Sequence, residues 1–273
     1  MNTQYLPVST GILAYDDQGS GPLVVCIPSM GDVRQEYRFL APILVDAGYR
    51  VVTMDVRGHG ESSVDWPDYS VVGIGADILA LIQHLNAGPA LLIGTSMAAG
   101  AAVWAAAEAA ELVSGLVLIG PFVHDIGPLW PGRLLFTVLF AEPWGRAVWN
   151  WYFSTLYPTR QPSDWQEYRQ HLQRNLAEPG RMSALRHMIR ASKRASGDRL
   201  DQVHVPTLVI MGTRDPDFKK PSEEAQWVAT KLHAQVHMIE GAGHYPHAEM
   251  PEQVGPALLS FFQQIKEPAS HGS

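Results

Sequence analysis

The stretch of sequence that decides the fold is residues 90–100, ALLIGTSMAAG. A short apolar run typical of a buried strand leads to Gly94, and an alanine-rich helical pattern begins at Met97. Ser96 is therefore predicted to lie on a very tight turn between a strand and a helix. Such a turn strains its central residue and requires small residues two positions to either side, which Gly94 and Ala98 supply. The Ser96 hydroxyl is expected to project beyond the strand, beside the free N–H groups of the helix; a serine here can also act simply as a helix N-cap.

Strands and helices alternate in both directions from this turn. Strands are predicted at 4–8, 11–16, 23–27, 49–54, 90–93, 113–119, 205–211 and 235–239, and helices at 34–47, 71–85, 97–110, 222–233 and 251–265. Strands separated by helices of this length pair in parallel through right-handed crossovers. The sequence therefore predicts a doubly wound α/β sheet.

The segment 121–202 interrupts this alternation. It is rich in aromatic residues, and prolines divide it into short predicted helices. We interpret it as a helical cap inserted into a core formed by residues 1–120 and 203–267, with a disordered tail at 268–273. Open α/β sheets bind ligands beyond the carboxyl ends of their strands. Trp130 and Trp151 are therefore candidates to line a pocket there, although such aromatic residues also serve as local core.

The composition excludes several classes of protein. Of 273 residues, 46% are hydrophobic and 17% are charged, and the net charge of -7 argues against a nucleic-acid surface. With Cys26 as the single cysteine, no intrachain disulfide can form. No run approaches the length of a membrane span, and the N-terminus lacks the pattern of a secretory signal. These features predict a soluble, cytoplasmic protein without a membrane span.

His244 is the histidine best placed to activate Ser96. It follows the last predicted strand, 235–239, so it is expected at the same sheet edge as the serine. A serine hydroxyl is a weak nucleophile near neutral pH unless a base accepts its proton. A neutral His244 in that role predicts that kcat/KM rises through a pKa near the ordinary histidine value of about 6.5. His247 raises the alternative of a zinc site, but no third ligand accompanies it.

Several motifs in this sequence resemble those of the α/β-hydrolase family. Residues 94–98 are similar to its Gly-x-Ser-x-Gly elbow, with Ala98 replacing the last glycine. DVRGHGES at 55–62 is similar to its Asp-x-Arg-Gly-x-Gly-x-Ser loop, and GAGHYPHAEMP at 241–251 resembles its terminal histidine motif. The resemblance covers nearly the whole chain except the predicted cap. It implies an α/β-hydrolase fold with a mostly parallel, eight-stranded sheet flanked by helices.

The resemblance also implies an acid that orients His244. Asp215, in GTRDPD at 212–217, matches the family's Gly-x-x-Asp loop. Asp217 is a neighbouring carboxylate, and Asp125, after the preceding strand, is the alternative acid. The order Ser96, Asp215, His244 is the one expected for this fold.

The oxyanion of an acyl-transfer reaction is expected to be held by the backbone N–H groups of Met97 and Met30. The loop that carries Met30, IPSMGD at 27–32, departs from the family because Pro28-Ser29 replaces the usual His-Gly. Ser29 and Tyr245 are further candidates for the pocket wall.

The loop at 55–62 is interpreted as structural support near the site. Asp55 and Arg57 are expected to tie it down through charge-assisted hydrogen bonds. His59, in the same loop, is not expected to be the catalytic base.

The predicted activity is hydrolysis of a small to medium carboxylic ester or lactone through an acyl-enzyme on Ser96, without a metal or cofactor. The alternatives are carbon–carbon bond hydrolysis of a diketone-like acid, which Arg181 or Arg186 would favour, a cofactor-free peroxidase activity, and a ligand receptor with slow turnover. The expected partner is a small-molecule substrate, and the chain is expected to be a monomer or a homodimer.

Overall fold

The computed structural model describes residues 3–125 and 138–266. Its strands are β1 (Gln4–Val8), β2 (Gly11–Gln18), β3 (Leu23–Ile27), β4 (Arg50–Met54), β5 (Ala90–Thr95), β6 (Val113–Ile119), β7 (Thr207–Gly212) and β8 (Gln235–Ile239). They form one sheet in the order β1-β2-β4-β3-β5-β6-β7-β8. β2 pairs antiparallel with β1 and β4, and every other pair is parallel. The prediction of a mostly parallel, eight-stranded sheet is confirmed.

The central strands are apolar along their whole length because helices cover both faces of the sheet. Every residue of β3, β5 and β7 is buried. In β6, Leu116 and Leu118 pack into one hydrophobic core, and the alternate residues Val117 and Ile119 pack into the other. Because successive side chains of a strand point to opposite faces of the sheet, the apolar residues of β6 contribute to both cores.

The helices are α1 (Leu40–Asp46), α2 (Val71–Leu85), α3 (Met97–Glu108), α4 (Gly145–Thr155), α5 (Trp165–Ala177), α6 (Arg181–Arg190), α7 (Arg194–Gly197), α8 (Pro221–Leu232), α9 (Pro246–Glu249) and α10 (Pro251–Lys266). Side chains of α2, α3 and α8 form the core on one face of the sheet, and those of α1 and α10 form the core on the other. None of the helices within the described ranges is long and apolar enough to cross a membrane.

The predicted helix at 34–47 is wrong in its first third. Arg34–Tyr37 forms a single 3-10 turn, and α1 begins only at Leu40. The backbone N–H of Arg34 donates to Asp55 Oδ1 at 2.7 Å, and Glu36 Oε2 accepts from the N–H of Ser29 at 2.7 Å. These buried tertiary contacts outweigh the helical pattern of the sequence.

Helices α4 to α7 lie between β6 and β7 and are called the inserted helices below. An aromatic cluster joins them to the rest of the molecule: the rings of Phe153 and Trp165 stack at 5.6 Å, and Tyr157 stacks at 5.3 Å on Tyr245. The division of the chain into a core and a cap stays a prediction. The predicted tail at 268–273 lies outside the described residues.

Candidate active site

Ser96 occupies the sharp turn between β5 and α3. Its backbone dihedrals are φ 58° and ψ -122°, a strained conformation for a residue with a side chain. A Cβ atom at Gly94 would lie 2.7 Å from the carbonyl oxygen of Ala98, so this close approach requires glycine. Although Ser96 precedes the helix, its side chain makes no N-cap hydrogen bond. The turn therefore does not use the hydroxyl for capping.

Two backbone hydrogen bonds fix this turn to the segment that follows β6. The N–H of Ser96 donates to the carbonyl of Ile119 at 2.8 Å, and the N–H of Phe122 donates to the carbonyl of Ser96 at 3.1 Å. The position of the serine thus depends on residues 119–122 as well as on its own strand.

His244 and Asp215 form a buried pair at the same edge of the sheet. Asp215 follows β7, His244 follows β8, and His244 Nδ1 lies 2.7 Å from Asp215 Oδ2. The side chains of Asp215 and His244 are 0% and 2% exposed. A carboxylate at Nδ1 leaves Nε2 as the nitrogen that can accept a proton.

The segment 120–122 brings this pair to the serine turn. Gly120 has φ +50°, and a Cβ there would lie 2.9 Å from His244 Cε1 and 3.0 Å from Nδ1, so the imidazole occupies space that only glycine leaves free. The ring of Phe122 contacts the imidazole edge-on, with ring centroids 5.9 Å apart. Within the described ranges, no hydrogen bond joins the Ser96 hydroxyl to His244. Such contacts are often longer before substrate binds.

Two opposing effects set the proton affinity of His244. Burial disfavours the charged imidazolium, but the nearby carboxylates of Asp215 and Asp217 outweigh it and raise the pKa of His244 to about 9. The sequence alone predicts an ordinary histidine value. The structure therefore places the pKa of His244 above that value.

Asp215, Asp217 and His244 also have the composition of a cation site. One ligand atom from each lies within 4.8 Å of the other two. The separation of 2.7 Å between His244 Nδ1 and Asp215 is that of a hydrogen bond, with the ring proton directed at the carboxylate. A metal at Nδ1 would have to displace that proton.

The loop at 27–32 leaves one backbone donor free. The N–H groups of Ser29, Gly31 and Asp32 donate to Glu36 Oε2, His59 Nε2 and the carbonyl of Ser29. The N–H of Met30 makes no hydrogen bond with any residue in the described parts of the chain. Met97, at the first position of α3, also carries an N–H without an intrahelical partner. These are the two donors that the sequence predicts for an oxyanion.

A hydrogen bond between side chains connects the loop of Met30 to the loop of His244. The hydroxyls of Ser29 and Tyr245 lie 2.5 Å apart, and both residues are 1% exposed. Glu36, which accepts from the Ser29 N–H, also lies 3.0 Å from Nε2 of the buried His247. Ser29 and Tyr245 thus connect two loops of the site, and His247 supports one of them.

Asp55 and Arg57 tie down the loop at 55–62 through charge-assisted hydrogen bonds, as predicted, but not to each other. Asp55 pairs with Arg34, and Arg57 pairs with Asp77 at 2.7 Å. Burial lowers the pKa of His59 to about 4, so its Nε2 is unprotonated near neutral pH and accepts the N–H of Gly31. His59 therefore supports the loop of Met30.

The described structure does not place three other predicted candidates at the site. Trp151 is 68% exposed, because it lies on the outer side of α4, so its prediction as a pocket residue is wrong. Asp125 accepts hydrogen bonds from Ser192 Oγ at 2.5 Å and the N–H of Lys193 at 2.9 Å, which directs it toward the inserted helices. Trp130 lies outside the described residues.

An apolar cluster of the inserted helices packs against Met30. Its buried members are Phe140, Trp149, Leu176, Met182 and Leu185. A Cβ at Gly31 would lie 2.2 Å from the ring of Trp149, so this ring packs directly on the loop with the free N–H. The side chain of Met30 therefore packs against apolar residues of the inserted helices.

Sequence reasoning missed Gly120 and the role of Tyr152. The signal for Gly120 is a glycine immediately after an apolar strand, where a positive φ is common. No local pattern indicates that Tyr152 reaches Asp217, since the two residues are distant in sequence and their hydrogen bond of 2.6 Å depends on the packing of α4.

The chain matches known proteins along most of its length. A family model described as the alpha/beta hydrolase fold matches residues 22–251. The Mycobacterium tuberculosis protein named non-heme bromoperoxidase BpoC is 31% identical, over 93% of this chain and 98% of its own length. The 2-hydroxy-6-oxo-6-phenylhexa-2,4-dienoate hydrolase of Comamonas testosteroni is 26% identical, over 94% of this chain and 93% of its own. The structure of a thermophilic esterase from Thermogutta terrifontis, 24% identical, aligns over 96% of this chain and 99% of that chain with a TM-score of 0.80, which shows a common fold.

Proposed function

The chain belongs to the α/β-hydrolase family, and from this premise we propose that it is a serine hydrolase of small to medium carboxylic esters or lactones. Ser96 is the proposed nucleophile, His244 the base and Asp215 the acid that orients the base. The observation that carries the proposal is the meeting of the strained Ser96 turn and the buried Asp215–His244 pair at residues 119–122.

The proposed reaction has two acyl-transfer steps. Ser96 Oγ bonds to the substrate carbonyl carbon as its proton passes to His244 Nε2, and the carbonyl electron pair moves to the oxygen. The N–H groups of Met30 and Met97 hold this oxyanion. When the electron pair returns, the bond to the leaving alkoxide breaks and His244 protonates it. Water attacks the acyl-enzyme by the same route, which gives the acid and restores Ser96.

The apolar cluster around Met30 supports an apolar acyl or aryl group as the part of the substrate beside the oxyanion donors. Trp149 and Phe140 supply aromatic surface there. We propose that the inserted helices act as a cap over this site.

Carbon–carbon bond hydrolysis is the second candidate, because the relative from Comamonas testosteroni carries the name of such an enzyme. The sequence suggests that Arg181 or Arg186 would meet an anionic substrate. Arg181 is 6% exposed and donates to the carbonyl of Ser62 at 2.6 Å, and Arg186 donates to the carbonyl of Phe140 at 3.4 Å. Because Arg181 is committed to structural contacts, we rank ester hydrolysis first. Monomer or homodimer, and a cytoplasmic location, stay predictions from the sequence.

A fluorophosphonate probe is expected to label wild-type protein at Ser96. The probe forms a covalent bond only with a serine whose proton a nearby base accepts. Mass spectrometry of peptides after digestion locates the adduct, and heat-denatured protein is the control for nonspecific reaction. An adduct on another residue, or none on folded protein, would remove the proposed function.

Chelators are expected to leave activity unchanged. The proposed mechanism takes its base, acid and oxyanion donors from side chains and backbone alone. Dialysis against EDTA, followed by an assay with a p-nitrophenyl ester, measures this directly. Loss of activity that returns on adding Zn²⁺ or another divalent cation would instead indicate that Asp215, Asp217 and His244 bind metal.

A further inference from the structure

His244 has a second carboxylate beside the one predicted to orient it. Asp217 Oδ2 lies 3.7 Å from the same Nδ1 atom that Asp215 approaches to 2.7 Å. The side chain of Asp217 is only 12% exposed, so water screens its charge poorly. Asp217 therefore acts electrostatically on the imidazole without occupying the hydrogen-bond position of Asp215.

A residue of the inserted helices holds this second carboxylate in place. The hydroxyl of Tyr152, on α4, donates to Asp217 Oδ1 at 2.6 Å, so the other oxygen faces His244. Burial and the charge of Asp217 raise the pKa of Tyr152 well above its usual range, so the phenol stays protonated and remains a donor. The N–H of Asp217 also donates to Asp215 Oδ1 at 3.0 Å, which ties the two carboxylates together.

We propose that Asp217 is a positioning residue for His244, held toward the imidazole by Tyr152, so that helix α4 helps to set the charge around the base. The inference rests on the proposed function, because it needs His244 to be the base. Asp217 touches no reacting atom in this scheme. It stabilises the imidazolium that forms when His244 accepts the serine proton.

The other groups around His244 leave this role to the two carboxylates. Phe122 and Phe218 contact the imidazole with apolar rings, at centroid distances of 5.9 and 6.4 Å. Tyr245 contacts it edge-on at 5.3 Å, and its hydroxyl is engaged with Ser29. Glu36 is a further acidic group whose charge acts on His244. Its side chain is bound to Ser29 and His247, so replacing Asp217 does not alter it.

The variants Asp217→Asn and Tyr152→Phe test the proposal through the pH dependence of kcat/KM. Asp217→Asn is expected to move the midpoint to lower pH by about 1 unit or more, since one close negative charge is lost. Tyr152→Phe is expected to move it in the same direction by less, because Asp217 keeps its charge but loses the donor that holds Oδ2 toward Nδ1. Tyr157→Phe is the matched control: its buried hydroxyl has no hydrogen-bond partner in the described structure, so its midpoint should equal that of wild type.

A titration of the His244 ring by NMR gives the same comparison without turnover. A midpoint unchanged in folded Asp217→Asn, by both kinetics and NMR, would overturn the proposal and leave Asp217 as a structural residue. The labelling of Ser96 distinguishes failure of the proposed function from failure of the role of Asp217. If wild type is not labelled there, the proposed function fails; if labelling occurs but the midpoint does not move, only the role of Asp217 fails.

Discussion

Replacing Ser96 with alanine is expected to lower kcat/KM for a p-nitrophenyl ester by at least about three orders of magnitude. The variant keeps the strained turn, the Asp215–His244 pair and the free N–H of Met30, but it has no oxygen to attack the carbonyl. Initial rates with a series of acyl lengths, measured beside wild type, test this. Any residual rate should come from the oxyanion donors and binding alone.

Ser70→Ala is the matched control for the loss of a serine hydroxyl at a helix start. The Ser70 side chain accepts the N–H of Val72 at 3.2 Å and caps α2, whereas Ser96 makes no such bond. Ser70→Ala should therefore cost about 1 kcal/mol of unfolding free energy and keep its activity. Ser96→Ala should keep its stability and lose its activity. The reverse pattern, or equal turnover by wild type and Ser96→Ala, contradicts the assignment of Ser96.

The same assay separates an enzyme from a ligand receptor with the hydrolase fold. An enzyme gives sustained turnover after any burst of the first product. A receptor gives one burst whose amplitude matches the protein concentration, followed by little further product. Wild type is expected to turn over continuously, because Nε2 of His244 is free of the carboxylate that binds Nδ1 and can activate water after the first step.

Features that depend on a few neighbouring residues could be predicted from the sequence. The strained turn at Ser96 follows from a buried strand, a glycine and a helix in succession. The placement of His244 and Asp215 at one edge follows from parallel strands, whose carboxyl ends lie together. Local pattern and topology are sufficient for both.

Features that depend on which distant side chains pair could not be predicted. Asp55 pairs with Arg34 instead of Arg57, because a 3-10 turn places the Arg34 guanidinium beside it. The free N–H of Met30 can be recognised only after every neighbouring N–H has been assigned an acceptor. The exposure of Trp151 depends on the rotation of α4 about its axis. Composition does not determine that rotation.

Replacing Asp215 with asparagine is expected to lower kcat by about three to four orders of magnitude. The loss has two causes. An amide N–H2 directed at Nδ1 would favour the tautomer with its proton on Nε2, which cannot accept the proton of Ser96. The charge that stabilises the imidazolium is also lost. The variant should fold normally, since asparagine has nearly the same shape, and circular dichroism with thermal unfolding checks this.

Asp125→Asn is the matched control, because Asp125 is the alternative acid from the sequence and binds Ser192 and Lys193. The asparagine oxygen can accept the N–H of Lys193 and its NH2 group can donate to Ser192 Oγ, so activity should stay near wild type. A collapse of activity in Asp125→Asn, with Asp215→Asn still active, would reassign the acid.

The double variant Asp215→Asn/Asp217→Asn tests whether Asp217 acts on His244 independently of Asp215. If Asp217, 3.7 Å from Nδ1, supports the imidazolium when Asp215 is lost, the double variant must fall below Asp215→Asn alone. Equal rates would mean that the second carboxylate acts only through the first.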